Sequence, residues 1–312
     1  MKLAVMGAGG VGGYFGGRLA KAGFDVTFIA RGAHLAAIRQ NGLKVLSGYG
    51  DFQVSPAKAT ADPGEIGPVD IVLFAVKLYD TESAGELCRP LLGADTAVVS
   101  LQNGIDSEAR LLPILGERHV CGGVAYIPAE IVEPGVVRQR GELAKVDFGE
   151  LDGSLSPRLR ALLEACEKTG FAAELCPDIE RRIWSKFIVL APFAAACCLT
   201  RLQARPLMAD PDTRRLLEDG VSEAIAVARA KLIDLPADSF ERTMRFFEGQ
   251  PEGSQASMLT DLDRGNRLEL EWLSGNIVRL GRELGVPTPV HEVACVALRP
   301  FAAGTAAGSQ AA

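Results

Sequence analysis

The sequence lacks the features that mark several classes of protein. It has no basic run, and its acidic residues outnumber its basic residues by 39 to 33, which gives a net charge of -6. Such a surface repels polyphosphates, so we expect no nucleic-acid partner. We also expect no apolar run to approach the roughly 20 residues of a membrane span, and therefore no membrane partner. Its 34 Gly and 17 Pro are ordinary globular usage, which excludes collagen-like and disordered chains.

Cysteine is present without a pairing pattern. The seven cysteines contain no CxxC pair, and an odd count in a chain of 312 residues indicates reduced thiols in the cytosol. Glycine follows Met1–Met6 before an apolar stretch of signal-peptide length can develop, so this segment is predicted to be a strand. His291 and Cys295 are one helical turn apart without further ligands nearby, so no metal site is expected. These patterns predict a cytoplasmic protein.

The first half of the chain alternates short apolar runs with helical stretches. The run Ile71–Val76 is apolar at every position, as a strand of a parallel sheet covered by helices on both faces requires. Gly48–Gly50 and Glu133–Gly135 resemble turns between antiparallel strands, which predicts a mixed sheet. The fold class predicted from this pattern is α/β, with a Rossmann-type, doubly wound and mostly parallel sheet.

The pattern of apolar and polar residues changes after Pro177. Strand signals end, and apolar residues recur at helical spacing, as at Leu273, Ile277, Leu280 and Leu284. We predict a dinucleotide-binding Rossmann domain at residues 1–176 and an all-α substrate domain at residues 177–301. The segment 302–312 lacks apolar bulk and is predicted to be a disordered tail.

A glycine-rich motif, G-x-G-x-x-G, directly follows the first predicted strand and opens a helix. In this setting Gly7 makes the tight turn, Gly9 lets the backbone approach a pyrophosphate, and Gly12 lets helix and strand pack closely. Gly10 and Val11 complete the turn, whose N–H groups and positive helix end would receive the pyrophosphate. An ordinary βα turn is the alternative interpretation. We predict a dinucleotide site.

The end of the second strand distinguishes NADP(H) from NAD(H). An NAD site usually has an acidic residue there, but this chain has Arg31, and the nearby Asp25 lies at the opposite end of the strand. The Arg31 guanidinium can form a bidentate contact with a 2′-phosphate. The alternative is a solvated loop arginine. The sequence favours NADP(H) as cofactor.

Two further polar residues follow predicted parallel strands. Lys77 comes directly after Ile71–Val76, and Asn103 is separated from Val98–Leu101 by a single residue. Ligands of open α/β sheets bind outside the carboxyl ends of the strands, so both residues are candidates to line the nicotinamide crevice. Simple solvation of polar strand ends is the alternative.

The chain resembles the ketopantoate reductase (2-dehydropantoate 2-reductase) family. The resemblance rests on eight segments in order along nearly the whole chain: Gly7–Gly12, Arg31, Lys77, Leu101–Gly104, Trp184–Phe187, Ser257–Asp261, Glu269–Glu271 and Gly285–Pro289. It implies reduction of a 2-keto acid by NADPH in the pathway to pantothenate. It also implies an active site in a cleft between a Rossmann domain and a helical domain, with oligomeric state left open and a homodimer among the alternatives.

The resemblance also implies roles for individual residues. Lys186 corresponds to the catalytic lysine, Glu269 to a catalytic carboxylate of the substrate domain, and Ser257 to a contact of the substrate carboxylate. Lys77 and Asn103 correspond to residues on the cofactor side, and Asn103 also to a substrate contact. Hydride transfer to a ketone leaves negative charge on oxygen, which an ammonium such as that of Lys186 can stabilise and protonate.

The chain departs from the family at two positions. The family commonly carries asparagines four and eight residues after the catalytic lysine, where this chain has Leu190 and Ala194. An apolar wall does not discriminate for a hydroxyl as an amide does. The substrate is therefore either 2-dehydropantoate or a more apolar 2-keto acid. Two alternatives stay open, namely another dehydrogenase of this architecture (3-hydroxyacid, opine or imine type) and a non-catalytic NADP(H) sensor.

Overall fold

The computed structural model describes residues 1–305. The chain forms two compact units, the first comprising Met1–Arg182 and the second beginning at Ile183. The sequence predicts the boundary after residue 176, slightly before this junction. The two units are described separately below.

Strands of the first unit form two sheets. The strands are β1 (Lys2–Met6), β2 (Asp25–Ile29), β3 (Leu43–Leu46), β4 (Phe52–Val54), β5 (Lys58–Thr60), β6 (Val69–Phe74), β7 (Leu92–Ser100), β8 (Val120–Tyr126), β9 (Ala129–Glu133), β10 (Val136–Gln139), β11 (Lys145–Glu150) and β12 (Ala172–Leu175). The large sheet has the order β12-β11-β8-β7-β6-β1-β2-β5. Its neighbouring strands are parallel except for the antiparallel pair of β8 and β11. The predicted Rossmann-type, mostly parallel sheet is confirmed.

The remaining strands form a separate small sheet in the order β4-β3-β10-β9. Strands β3 and β4 are antiparallel, as are β9 and β10, so both predicted turns do join antiparallel strands. The predicted mixed sheet is confirmed, but its antiparallel pair is β8 with β11, whereas the strands joined by these two turns form the small sheet. The turn residues define only the local reversal of the chain, whereas the parallel pairing of β3 with β10 depends on contacts far apart in sequence.

Five helices accompany these sheets, namely α1 (Gly10–Lys21), α2 (Gly32–Asn41), α3 (Thr81–Cys88), α4 (Ser107–Leu115) and α5 (Pro157–Glu167). Glycines let α1 lie close to both sheets. A β-carbon on Gly16 would lie 2.5 Å from Cγ2 of Val5 on β1, and one on Gly13 would lie 2.8 Å from Cγ2 of Val137 on β10. Larger residues at either position would push a sheet away from the helix. The helix that follows the glycine-rich turn is thus held from two sides.

The described part of the second unit, residues 183–305, consists of helices joined by loops and contains no strand. Its helices are α6 (Ile179–Thr200, which starts in the first unit), α7 (Ala204–Ala209), α8 (Pro211–Ala230), α9 (Ser239–Glu248), α10 (Ser257–Asp263), α11 (Ser274–Leu284) and α12 (Pro289–Leu298). The predicted all-α second domain is confirmed. Buried His291 on α12 lies 3.1 Å from Oγ of Ser274 and 3.2 Å from the carbonyl oxygen of Gly220, so its ring joins three helices of this unit.

Helix α6 is long and apolar enough to cross a membrane by length and composition alone, with a mean hydropathy of 1.7 in its apolar window. The expectation that no apolar run approaches this length is therefore wrong. Of that window, 56% is buried inside the structure. A core helix of a soluble protein gives the same pattern, so the finding is weak evidence for a membrane span.

The last described residues lie against an earlier loop of the second unit. The carbonyl of Ala302 accepts a hydrogen bond from the backbone N–H of Leu268 at 3.0 Å, and the N–H of Thr305 donates to Gly265 at 2.9 Å. The rest of the predicted disordered tail, residues 306–312, lies outside the described residues.

Candidate active site

Four parallel strands of the large sheet end in register at one edge. Met6 on β1 is the partner of both Ile29 and Phe74, and Phe74 is the partner of Ser100 on β7. The chain runs from β1 to β2 on one side and later adds β6 on the other, which makes the β1–β6 boundary a topological switch point. Ligands of doubly wound sheets bind outside the strand ends at such a point.

The glycine-rich turn lies at this switch point. Gly7 has a φ of +97° and donates its N–H to the carbonyl of Ile29 at 3.2 Å. A β-carbon on Gly12 would lie 2.2 Å from the carbonyl oxygen of Gly7, so only glycine lets α1 start this close to the turn. A β-carbon on Gly9 would meet nothing within 4 Å. This open space lies next to the N-terminus of α1, and helix N-termini are places where anions bind.

Gly10 and Val11 of the motif are packed differently. A β-carbon on Gly10 would lie 2.3 Å from the carbonyl oxygen of Ala129 on β9, so glycine is needed here for packing against the small sheet. Val11 is half-buried and packs against the hydrophobic core of the first unit. Their assignment to cofactor binding stays a prediction that would act through backbone N–H groups.

Arg31 is exposed and directly precedes α2 at the carboxyl end of β2. Asp25 lies at the other end of β2, where its carboxylate pairs with Lys58 at 2.7 Å. The position next to the ribose in this fold therefore carries a guanidinium and not a carboxylate.

Lys77 and Asn103 lie in the loops that follow β6 and β7. The sequence patterns assigned no role to Gln102, which is buried in the structure. Its side-chain N–H₂ donates to the carbonyl of Val76 at 3.1 Å and to Oγ1 of Thr81 at 2.9 Å. These bonds join the two loops directly beside the two candidate residues. The sequence shows only that Gln102 directly precedes Asn103, whereas its burial and its two hydrogen bonds are properties of the folded chain.

In the second unit, Lys186 is half-buried on α6 and Glu269 is 6% exposed just before the short helical turn Leu270–Trp272. Burial lowers the pKa of Lys186 to about 8, although the carboxylate of Glu269 acts in the opposite direction and raises it. The structure therefore brings these two predicted residues within electrostatic range. An ammonium with a pKa near neutrality is suited to donate a proton.

The other predicted residues of this unit lie on α10 and α6. Ser257 is the exposed first residue of α10. Leu190 and Ala194 follow Lys186 at successive four-residue steps of α6, which places all three along one side of that helix. Two apolar residues therefore follow Lys186 on its side of the helix.

Comparison with known proteins adds an independent finding. The family described as "Ketopantoate reductase PanE/ApbA" matches residues 3–153, and its C-terminal counterpart matches residues 178–302. The chain belongs to the ketopantoate reductase family. The 2-dehydropantoate 2-reductase of Mesorhizobium japonicum is 32% identical over 97% of this chain and 98% of its own length. As a member of this family, the chain is an oxidoreductase that acts on CH–OH groups and uses a nicotinamide cofactor.

Solved structures of other reductases and dehydrogenases have the same fold as this chain. A PanE/ApbA family ketopantoate reductase from Ralstonia eutropha is 34% identical, with a TM-score of 0.89 over 97% of this chain and 98% of that chain. A D-mandelate dehydrogenase in a ternary structure with NADH and anilino(oxo)acetate has a TM-score of 0.87, covering 97% of this chain and 98% of that chain. At 23% identity, this second similarity concerns the fold alone.

Proposed function

We propose that the protein catalyses the NADPH-dependent reduction of a 2-keto acid to a 2-hydroxy acid, with 2-dehydropantoate and pantoate as the first substrate pair to test. The observation that carries this proposal is the half-buried Lys186, whose pKa is lowered to about 8 beside the buried Glu269. Bound NADPH would supply the hydride. The relatives named 2-dehydropantoate 2-reductase support the choice of substrate.

The chain's own groups would complete the reaction on the substrate oxygen. As hydride reaches the carbonyl carbon, the carbonyl π electrons move to oxygen, and the ammonium of Lys186 donates a proton there, which gives the hydroxyl group and a neutral amine. Glu269 would hold Lys186 or accept a substrate hydroxyl, and Ser257 would bind the substrate carboxylate. Asn103 would be a further substrate contact.

The cofactor would be held by the first unit. The space above Gly9 fits the pyrophosphate, and the exposed Arg31 beside the N-terminus of α2 fits a 2′-phosphate through charge-assisted hydrogen bonds. The absence of an acidic residue at this end of β2 favours NADPH over NADH. Lys77 would lie at the nicotinamide end. We propose that the enzyme acts in the cytoplasm on a small molecule.

The side chains after Lys186 favour a second candidate substrate. Leu190 and Ala194 offer no amide to bind the 4-hydroxyl of 2-dehydropantoate, so a 2-keto acid with an apolar side chain is the alternative.

A substrate panel tests the proposal. NADPH oxidation is followed at 340 nm with 2-dehydropantoate and with 2-keto acids of similar size that lack the hydroxyl. Turnover of any of these supports the reductase. A higher kcat/KM for the apolar acids, reversed in the double variant Leu190→Asn/Ala194→Asn, assigns the apolar substrate. Tight NADPH binding without turnover of any 2-keto acid would contradict the proposal and favour a sensor.

A further inference from the structure

His34 joins three parts of the first unit around the glycine-rich turn. Its Nε2 lies 2.7 Å from the carbonyl oxygen of Ala8, inside the turn, and its Nδ1 lies 3.0 Å from the backbone nitrogen of Gly135, between β9 and β10. The residue itself lies in the first turn of α2, three residues after Arg31. None of the sequence motifs singled it out.

The partners of the ring determine its protonation state. A carbonyl oxygen only accepts, so Nε2 carries the hydrogen, and a backbone N–H only donates, so Nδ1 carries the lone pair. The ring is therefore a neutral imidazole in one defined tautomer. Burial lowers the pKa of His34 more than the bond to Ala8 raises it, which agrees with a neutral ring.

The bond to Ala8 fixes the peptide that points toward the pyrophosphate space. The N–H of Ala8 donates to the carbonyl of Ile29 at 3.1 Å, so this residue is anchored on both sides. The Ala8 carbonyl belongs to the same planar peptide group as the N–H of Gly9. Holding the carbonyl toward His34 therefore sets the direction of an N–H at the N-terminus of α1, where an anion would bind.

We propose that His34 is a positioning residue for the cofactor, which orients the Ala8–Gly9 peptide toward the pyrophosphate and links it to the helix that carries Arg31. This inference rests on the proposed use of a dinucleotide at the glycine-rich turn. It predicts that His34 acts on cofactor affinity and not on the chemical step.

Two amide substitutions separate the two bonds of the ring. Glutamine carries an N–H near the position of Nε2, so His34→Gln retains the donor toward Ala8. Asparagine carries an acceptor oxygen near the position of Nδ1, so His34→Asn retains the bond from Gly135 but is too short to reach Ala8. Arg39→Ala serves as a matched control, because it removes a different bond of α2, to the carbonyl of Ala59 at 2.9 Å.

The Kd of NADPH is measured by fluorescence titration, with thermal unfolding of the free protein measured in parallel. We expect His34→Asn to raise the Kd on the order of five- to tenfold, as the loss of one hydrogen bond does, with kcat at saturating NADPH within about twofold of wild type. His34→Gln and Arg39→Ala should leave the Kd within about twofold. Equal Kd values for His34→Asn and wild type, or equal losses in the two His34 variants, would overturn the inference. A wild-type protein that binds neither NADPH nor NADH would overturn the proposed function as well.

Discussion

The carbonyl oxygen of Gly7 lies so close to Gly12 that a β-carbon on Gly12 would be 2.2 Å away from it. Three residues before Gly12, a β-carbon on Gly9 would meet nothing within 4 Å. The two glycines of one motif are therefore required for different reasons. Gly12 permits the turn to fold against α1, and Gly9 leaves room for a ligand.

Alanine substitutions should separate these two requirements. Gly9 has a φ of −73°, which alanine adopts without strain, so Gly9→Ala should change the free energy of unfolding by less than about 1 kcal/mol while abolishing NADPH binding. Gly12→Ala should cost at least about 1–3 kcal/mol, because backbone must move. Chemical denaturation and NADPH titration of both variants check this. Normal NADPH affinity in Gly9→Ala would contradict the assignment of the open space.

We expect Arg31 to determine the choice between NADPH and NADH. Arg31→Ala should raise the KM for NADPH on the order of tenfold or more, since a charge-assisted contact to phosphate is worth about 1.5–3 kcal/mol. The KM for NADH should change little, because NADH has no 2′-phosphate. Steady-state kinetics with both cofactors provide the comparison. Equal losses for the two cofactors would remove the 2′-phosphate assignment.

The stability of the second unit should depend on pH through His291. Burial lowers the pKa of His291 to about 4, below its ordinary value of 6.5. The unfolded chain therefore binds a proton before the folded chain does, so the stabilisation is complete above pH 6.5 and is lost as the pH falls toward 4. The difference corresponds to about 3 kcal/mol. Urea denaturation between pH 7 and 4.5 should show a steeper loss for wild type than for His291→Asn, and identical slopes would exclude this role.

Much of the fold could be predicted because its signals are local. Residues close together in the sequence define the apolar strands, the glycine-rich turn and the helical spacing of apolar residues after Pro177. The small sheet could not be placed, because β3 and β10 pair through contacts distant in sequence. Helix α6 showed that an apolar segment with a few charged residues can reach membrane-span length.

Some residues of the candidate site could likewise be predicted from local sequence, and others could not. Positions that follow strands, such as Lys77 and Asn103, could be identified from the pattern, whereas Lys186 and Glu269 required resemblance to a family. Gln102 and His34 were missed, because their bonds to Val76 and Ala8 join segments that only the folded chain brings together.

If the ammonium of Lys186 donates the proton during reduction, kcat/KM must depend on the protonation of this residue. With NADPH and the best 2-keto acid of the panel, kcat/KM should fall about tenfold per pH unit above the pKa of about 8, and Lys186→Ala should lose roughly 10²–10⁴-fold at pH 7. Near wild-type activity in Lys186→Ala, or a wild-type profile that stays flat to pH 9.5, would exclude Lys186 as the proton donor.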